Sequence, residues 1–159
     1  MSLQETQESV DYFIREYATL KERYSRLPSV DELDQELNIL EVVGRTRLFP
    51  RHVVRFVRWQ MMEVVNAWAG YLHGFILPNP QNAASMEEYN HFTDKEKQTI
   101  IEMLNWIMYS TREMNLLQLD EDDDRTAQFI ITAFSEWKER KKILRSVIDK
   151  NTASWKRQI

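Results

Sequence analysis

The segment from Arg45 to Leu77 constrains the fold more than any other part of the sequence. Its apolar residues recur at alternating spacings of three and four, which is the period of one face of an α-helix. They form two neighbouring rows: Val54, Val57, Met61, Val64, Trp68, Tyr71 and Phe75 in one, and Met62, Val65, Ala69, Leu72 and Ile76 in the other. Two rows make a wide apolar arc, which contacts more than one neighbouring helix. We therefore predict a central helix over residues 50–77, with Pro50 in its first turn.

The rest of the chain is also predicted to be helical. Capping-box patterns, a Ser or Thr followed three residues later by Glu, begin helices at Ser29 and Thr93. Helices are predicted over Gln4–Arg26, from Ser29 to Val43, from Thr93 to Leu119 and from the acidic run 120–124 to Lys150, with a short helix at Ser85–Glu88. No segment alternates like a strand. The predicted fold class is all-α, a single-domain bundle of about five helices over residues 1–159, in which residues 151–159 form an irregular tail.

The composition restricts both the chemistry and the compartment. The sequence contains no cysteine, which excludes disulfides, thiolate zinc sites and a cysteine nucleophile. The N-terminus lacks the basic-then-apolar pattern of a signal peptide. Polar residues interrupt the longest apolar stretch, Trp59–Leu77, so no membrane-spanning segment is predicted. We expect a cytoplasmic protein that binds no cofactor.

Charge is segregated along the chain. Residues 45–58 contain five arginines and no acid, although the whole chain has a net charge of −4. The candidate binding residues are Arg45, Arg47, Arg51, Arg55, Arg58 and the neighbouring Trp59 in this first zone, and Lys138, Arg140, Lys141, Lys142 and Arg145 in a second zone. The spacing from Arg47 to Arg58 predicts a positive ridge on the central helix. Such a ridge either binds the phosphates of a nucleic acid or pairs with the acids of the N-terminal helices.

The sequence matches none of the common catalytic or metal-binding patterns that depend on local spacing. The acidic run 120–124 lacks the glycine at position six and the glutamate at position twelve that a helix–loop–helix calcium site requires. No two of the three histidines have a spacing that places them on one helical face, so no metal site is predicted. Three glycines are too few for a phosphate-binding loop. His73, within the apolar half of the central helix, is expected to be a hydrogen-bonded core residue.

One local pattern resembles a known family. Arg47 and His52 are separated by four residues, and Arg45 and His52 by six. This spacing resembles the arginine–histidine motif of the HEPN group of small helical ribonucleases. The residue after the arginine, which is usually polar in that motif, is Thr46 for Arg45 and Leu48 for Arg47, and Leu48 does not fit. The resemblance covers this motif and the all-helical class. It implies a ribonuclease in which Arg47 and His52, from two copies in a dimer, assist attack by the ribose hydroxyl.

The function predicted from these patterns is binding rather than catalysis. The first hypothesis is a non-enzymatic protein-interaction module, a regulatory or accessory subunit that binds another protein, or itself as a homodimer through the apolar seam of the first helix. The second is a nucleic-acid-binding protein, or a blocker of a nucleic-acid-binding site, that uses residues 45–58 and 138–145. The third is the ribonuclease. The decisive question is whether the arginines of residues 45–58 are paired inside the protein or exposed to a partner.

Overall fold

The regular structure of the chain is helical. The structure is a computed structural model and describes residues 3–159. Seven helices occur there: α1 (Leu3–Arg23), α2 (Val30–Leu37), α3 (Ile39–Thr46), α4 (Val53–His73), α5 (Ala83–Asn90), α6 (Asp94–Leu119) and α7 (Asp123–Lys156). No strand occurs within these residues. The all-α prediction is confirmed, and the helices number seven rather than about five.

Asn38 divides one predicted helix, over residues 29–43, into α2 and α3. It has a φ of 53° and lies in the left-handed region, which asparagine tolerates better than most residues. Its backbone N–H donates to the carbonyl of Asp34 at 2.8 Å, and Asp34 Oδ1 accepts from the N–H of Leu40 at 2.9 Å. The chain therefore turns between the two helices while these polar groups keep partners.

Both predicted capping boxes are confirmed. The Ser29 hydroxyl accepts from the N–H of Glu32 at 3.1 Å, and the Glu32 carboxylate accepts from the N–H of Ser29 at 2.9 Å. Thr93 and Glu96 exchange the same two bonds, at 3.3 and 2.8 Å. These bonds satisfy amides that the start of a helix leaves without an internal partner.

The bounds of α4 differ from the predicted 50–77. The helix begins at Val53, because the carbonyl of His52 accepts the first backbone N–H groups of the helix, including that of Phe56 at 3.1 Å. Pro50 therefore lies in a loop before the helix rather than in its first turn. The helix ends at His73 and is followed by hydrogen-bonded turns.

The end of α7 lies beyond the predicted end. The helix continues through Lys156, so residues 151–156 are helical rather than part of an irregular tail. Asn151 is buried, and its side-chain amide donates to Glu88 of α5 at 2.8 Å. The indole N–H of Trp155 donates to the same carboxylate oxygen at 3.0 Å. One acid on α5 thus holds the last turns of α7.

One compact unit contains the described residues up to Val64 together with Met114–Ser135. Its core includes Phe13, Tyr17, Leu33, Leu37, Ile39, Val43, Val57 and Ile130. Gly44 permits close packing of α3 on α1, since a Cβ there would lie 3.1 Å from Thr6 Cγ2 and 3.3 Å from Val10 Cγ2. The apolar seam of α1 is therefore used inside this unit.

A second compact unit contains Val65–Glu113 and Glu136–Ile159. Its core includes Leu72, Phe75, Phe92, Ile100, Met103, Trp106, Ile107, Trp137 and Leu144. The rings of Trp106 and Trp137 stack with their centroids 6.5 Å apart. The single domain over residues 1–159 stays a prediction. Within residues 3–159, no helix has both the length and the apolar character that crossing a bilayer requires.

Candidate interaction surface

Arg58 is the most buried of the five arginines in residues 45–58. Its side chain is 3% exposed. Its Nη1 and Nη2 donate to the two carboxylate oxygens of Glu121, at 3.2 and 3.1 Å. Nη1 also donates to Thr126 Oγ1 at 3.2 Å. This forked geometry is the strongest that an arginine and a carboxylate form, so the guanidinium of Arg58 is committed inside the unit rather than offered to an external phosphate.

Arg55 extends the same contact. Its Nε donates to Asp123 at 2.9 Å and lies 3.2 Å from Glu121. These acids belong to the run 120–124, where Asp122 also caps the N-terminus of α7. One interpretation of the sequence was that these arginines pair with the acids of the two N-terminal helices. For Arg55 and Arg58, the arginines of the central helix, that interpretation is wrong. These two arginines pair with the acidic run that joins α6 to α7, a contact between distant parts of the sequence that spacing alone does not reveal.

The five arginines do not form one helical ridge, contrary to the prediction. Arg45 lies in the last turn of α3, Arg47 follows it with a φ of 51°, and Arg51 lies in the loop before α4. Arg47 forms an ion pair with Glu5 of α1 at 2.5 Å. Arg45 and Arg51 are exposed and form no ion pair or side-chain hydrogen bond with another residue in the described range 3–159. Two of the five cations are thus free for a partner.

An aromatic surface includes two residues that lie between these two free arginines in the sequence. We call it the Phe49 surface and define it as Tyr12, Leu48 and Phe49. Phe49 is 53% exposed and Leu48 is 38% exposed. The Phe49 ring meets the Tyr12 ring edge-on with a centroid distance of 5.3 Å. The Tyr12 hydroxyl donates to the carbonyl of Pro50 at 3.3 Å, and this bond holds the loop against α1. About half of Phe49 nevertheless stays exposed to solvent.

Sequence reasoning did not identify this surface. Phe49 lies just before the predicted central helix, and Tyr12 lies outside the apolar stripe of the first helix. One feature of the sequence did point to this surface. Leu48 and Phe49 are large apolar residues within a basic, proline-containing stretch, and neither belongs to the two apolar rows of the central helix. Trp59, which was identified, is 41% exposed and packs against Phe56 at a centroid distance of 5.9 Å.

The second basic zone lies in the second unit and is largely occupied by local contacts. Lys142 donates to Glu139 at 2.7 Å, and the Arg140 guanidinium lies 5.1 Å from the centroid of the Trp106 ring. Lys138 and Lys141 also have partners. Arg145 is exposed and lines an open groove of about 250 Å³. Local pairing leaves fewer free cations here than the sequence suggested.

A larger groove in the same unit is apolar with a paired rim. It has a volume of about 360 Å³, and its walls include Phe92, Ile143 and Val147. At its rim the Lys150 ammonium forms an ion pair with Glu96. The hydrogen bond from Lys150 and the backbone N–H of Thr93 lower the pKa of the Glu96 carboxyl to about 2. The rim charges therefore neutralise each other.

The histidines differ from the sequence expectation. His73 is exposed rather than a core residue, because the last turns of α4 turn it away from the apolar face. The buried histidine is His91, whose Nδ1 lies 2.7 Å from Asn151 Oδ1. His52 is exposed in the loop before α4. Arg47, the other residue of the HEPN-like pattern, is engaged with Glu5, and no hydrogen bond joins it to His52 among the described residues.

No group of three or more acidic or histidine side chains within residues 3–159 is arranged to hold a metal ion. No family model, no curated protein and no solved structure matches the chain. Its function therefore has to be inferred from its own residues.

Proposed function

We propose that the chain is a non-enzymatic protein-interaction module, a regulatory or accessory subunit that binds its partner through the Phe49 surface. The single-domain bundle with α4 as its central helix is part of this proposal. The observation that carries it is the exposure of Phe49 on a loop that Tyr12 holds in place. Large apolar side chains exposed together on an ordered surface mark interaction sites more often than isolated ones do.

Covering this surface on binding provides enough free energy to contribute substantially to the affinity for a partner. A phenylalanine buries 150–250 Å² when it is fully covered, so about 100 Å² of Phe49 remains exposed. Covering that area contributes about 2.5 kcal/mol at about 25 cal/mol per Å². Leu48, which is also exposed, adds to it. An aromatic side chain with this area fits the anchor role that dominates many protein interfaces.

The two free arginines define the chemistry of the partner. Arg45 precedes the loop that carries Phe49, Arg51 lies in it after Phe49, and neither is paired within the described part of the chain. A partner that covers Phe49 with apolar atoms and approaches these guanidinium groups with carboxylates would complement both features. The proposed partner is therefore a protein segment that combines acidic and large apolar residues.

A peptide-library selection tests this proposal. The wild-type chain and its Phe49→Ala variant would be immobilised and presented with random peptides. Tyr109→Ala serves as the matched control, since Tyr109 is an aromatic residue of the second unit that is 63% exposed. We expect enrichment of peptides with acids beside a large apolar residue, loss of binding in Phe49→Ala, and retention in Tyr109→Ala. Absence of enrichment, or enrichment unaffected by Phe49→Ala, would refute the proposal.

Single-stranded nucleic acid is the second candidate partner. The specific observation in its favour is the proximity in sequence of Phe49, which can stack on a base, to Arg45 and Arg51, which can contact phosphates. Binding of a labelled oligonucleotide would then weaken steeply with salt and be lost in a variant with Arg45→Glu and Arg51→Glu. If the chain does not bind the oligonucleotide even at low salt, nucleic acid is refuted as the partner and the protein partner remains.

A further inference from the structure

The charged residues on the outer face of α1, Glu8 and Arg15, have partners only within α1 among the described residues, although the inner face of the helix is fully used. The inner side chains Phe13 and Tyr17 are completely buried, so the apolar seam predicted for self-association belongs to the core. On the other side, Glu8, Tyr12 and Arg15 follow one another at spacings of four and three residues, which places them on one face. Glu8 is exposed, as is Arg15. This face borders the Phe49 surface, because Tyr12 belongs to both.

The charges on this face have opposite signs at its two ends. Among the described residues, Glu8 forms only a hydrogen bond with the uncharged Gln4, at 3.3 Å. The Arg15 guanidinium lies 5.6 Å from the centroid of the Tyr12 ring. Its ion pair with Glu16 spans 3.6 Å and is highly exposed, so that pair contributes little. Glu8 and Arg15 are seven residues apart, or about 10 Å along the helix, with Tyr12 between them.

We propose that the outer face of α1 binds the same face of a second copy of this chain, with the two helices antiparallel. A two-fold axis between Asp11 and Tyr12 would place Glu8 of each copy opposite Arg15 of the other. A two-fold interface must be complementary to itself, and a face with an acid at one end and a base at the other meets that condition. A partner of uniform negative charge would instead be repelled by Glu8 and Asp11.

The second copy also has the chemistry inferred for the partner of the Phe49 surface. Its Glu8 and Asp11 are exposed acids that precede an aromatic residue, Tyr12, in the sequence. Because Glu8 of that copy lies opposite Arg15, its Asp11 is the carboxylate that remains for the free arginines, and its Tyr12 supplies an aromatic ring for Phe49. The inference rests on the proposed interaction function, since it names the partner of that surface.

Reversal of the two charges gives a specific test, with sedimentation velocity as the readout. The wild-type chain is expected to form dimers at roughly 100 μM, where even a weak interface is populated. Glu8→Arg and Arg15→Glu should each convert two attractive pairs into two repulsive ones and weaken the dimer about tenfold or more. The double variant with Glu8→Arg and Arg15→Glu should recover the dimer, because its pairs are attractive again.

A mixture of the two single variants distinguishes this antiparallel arrangement from other dimers. The Glu8→Arg chain carries two arginines on the face and the Arg15→Glu chain carries two glutamates, so the mixture should form heterodimers more strongly than either variant alone forms homodimers. Glu102→Arg and Arg112→Glu, at exposed positions of α6, serve as matched controls that should leave the dimer intact. Circular dichroism on each variant confirms that it is folded.

A wild-type chain that stays monomeric overturns the inference, as does a dimer that neither single variant weakens or a mixture that stays monomeric. None of these results refutes the proposed function, which the peptide selection decides separately. Enrichment that depends on Phe49 together with a monomeric wild-type chain would assign the surface to a different protein.

Discussion

The pair formed by Arg58 and Glu121 gives the sharpest prediction, because the two partners differ in their exposure. The side chain of Arg58 is 3% exposed and that of Glu121 is 32% exposed. Glu121→Gln leaves a buried guanidinium without a counter-charge, and we expect a loss of about 3 kcal/mol in the free energy of unfolding, at the low end for breaking a buried pair. Arg58→Met leaves Glu121 in contact with water and with Arg55, so we expect a smaller loss of about 1 kcal/mol.

The double variant completes a thermodynamic cycle. With Arg58→Met and Glu121→Gln combined, no buried charge is left unpaired, so the loss should be roughly 2 kcal/mol smaller than the sum of the single losses. Urea unfolding would be followed by tryptophan fluorescence and by circular dichroism, because coincidence of the two transitions tests two-state behaviour. Additive losses, or a Glu121→Gln loss no larger than that of Arg58→Met, would refute the assignment of Arg58 to an internal pair.

Four further predictions concern other parts of the chain. Gly70→Ala should raise the free energy of unfolding by about 0.5–1 kcal/mol through helix propensity, because a Cβ there meets nothing within 4 Å. Gly44→Leu should lower it by about 2 kcal/mol or more through overpacking between α1 and α3, and urea unfolding measures both. The depressed pKa of Glu96 stabilises the fold above its unfolded value of 4.5, and this contribution is lost as pH falls toward about 2. Lys150→Met should therefore reduce the loss of stability between pH 5 and pH 2, measured by unfolding across that range. Glu88→Ala should lower amide hydrogen-exchange protection in the last turns of α7, where it accepts two side-chain hydrogen bonds.

Local patterns predicted much of the helical structure. The capping boxes at Ser29 and Thr93 depend on residues three positions apart, so the sequence contains all the information that they need. The spacing of three and four in the apolar rows of the central helix was likewise enough to predict which residues are buried, for example Val57 and Met61. Breaks within helices were harder to predict, because Asn38 adopts a left-handed conformation that its neighbours also have to permit.

The candidate surface was predicted only in part, because its character depends on contacts between distant residues. Arg51 and Arg58 look alike in the sequence, yet one is exposed and the other is enclosed by Glu121. No local rule separates them, since the acid lies 63 residues from Arg58. Phe49 was missed for the related reason that its position depends on Tyr12, far from it in the chain.

The arginines of residues 45–58 are divided into internal and free ones. Covalent labelling distinguishes these two groups directly. Phenylglyoxal modifies accessible guanidinium groups, and peptide mass spectrometry reports the rate at each arginine of the folded chain. The structure predicts fast modification of Arg45 and Arg51 and slow modification of Arg55 and Arg58, with all four rates converging in urea. Modification of Arg58 in the folded chain at the same rate as Arg51 would contradict this division, because it would mean that both arginines are equally accessible to solvent.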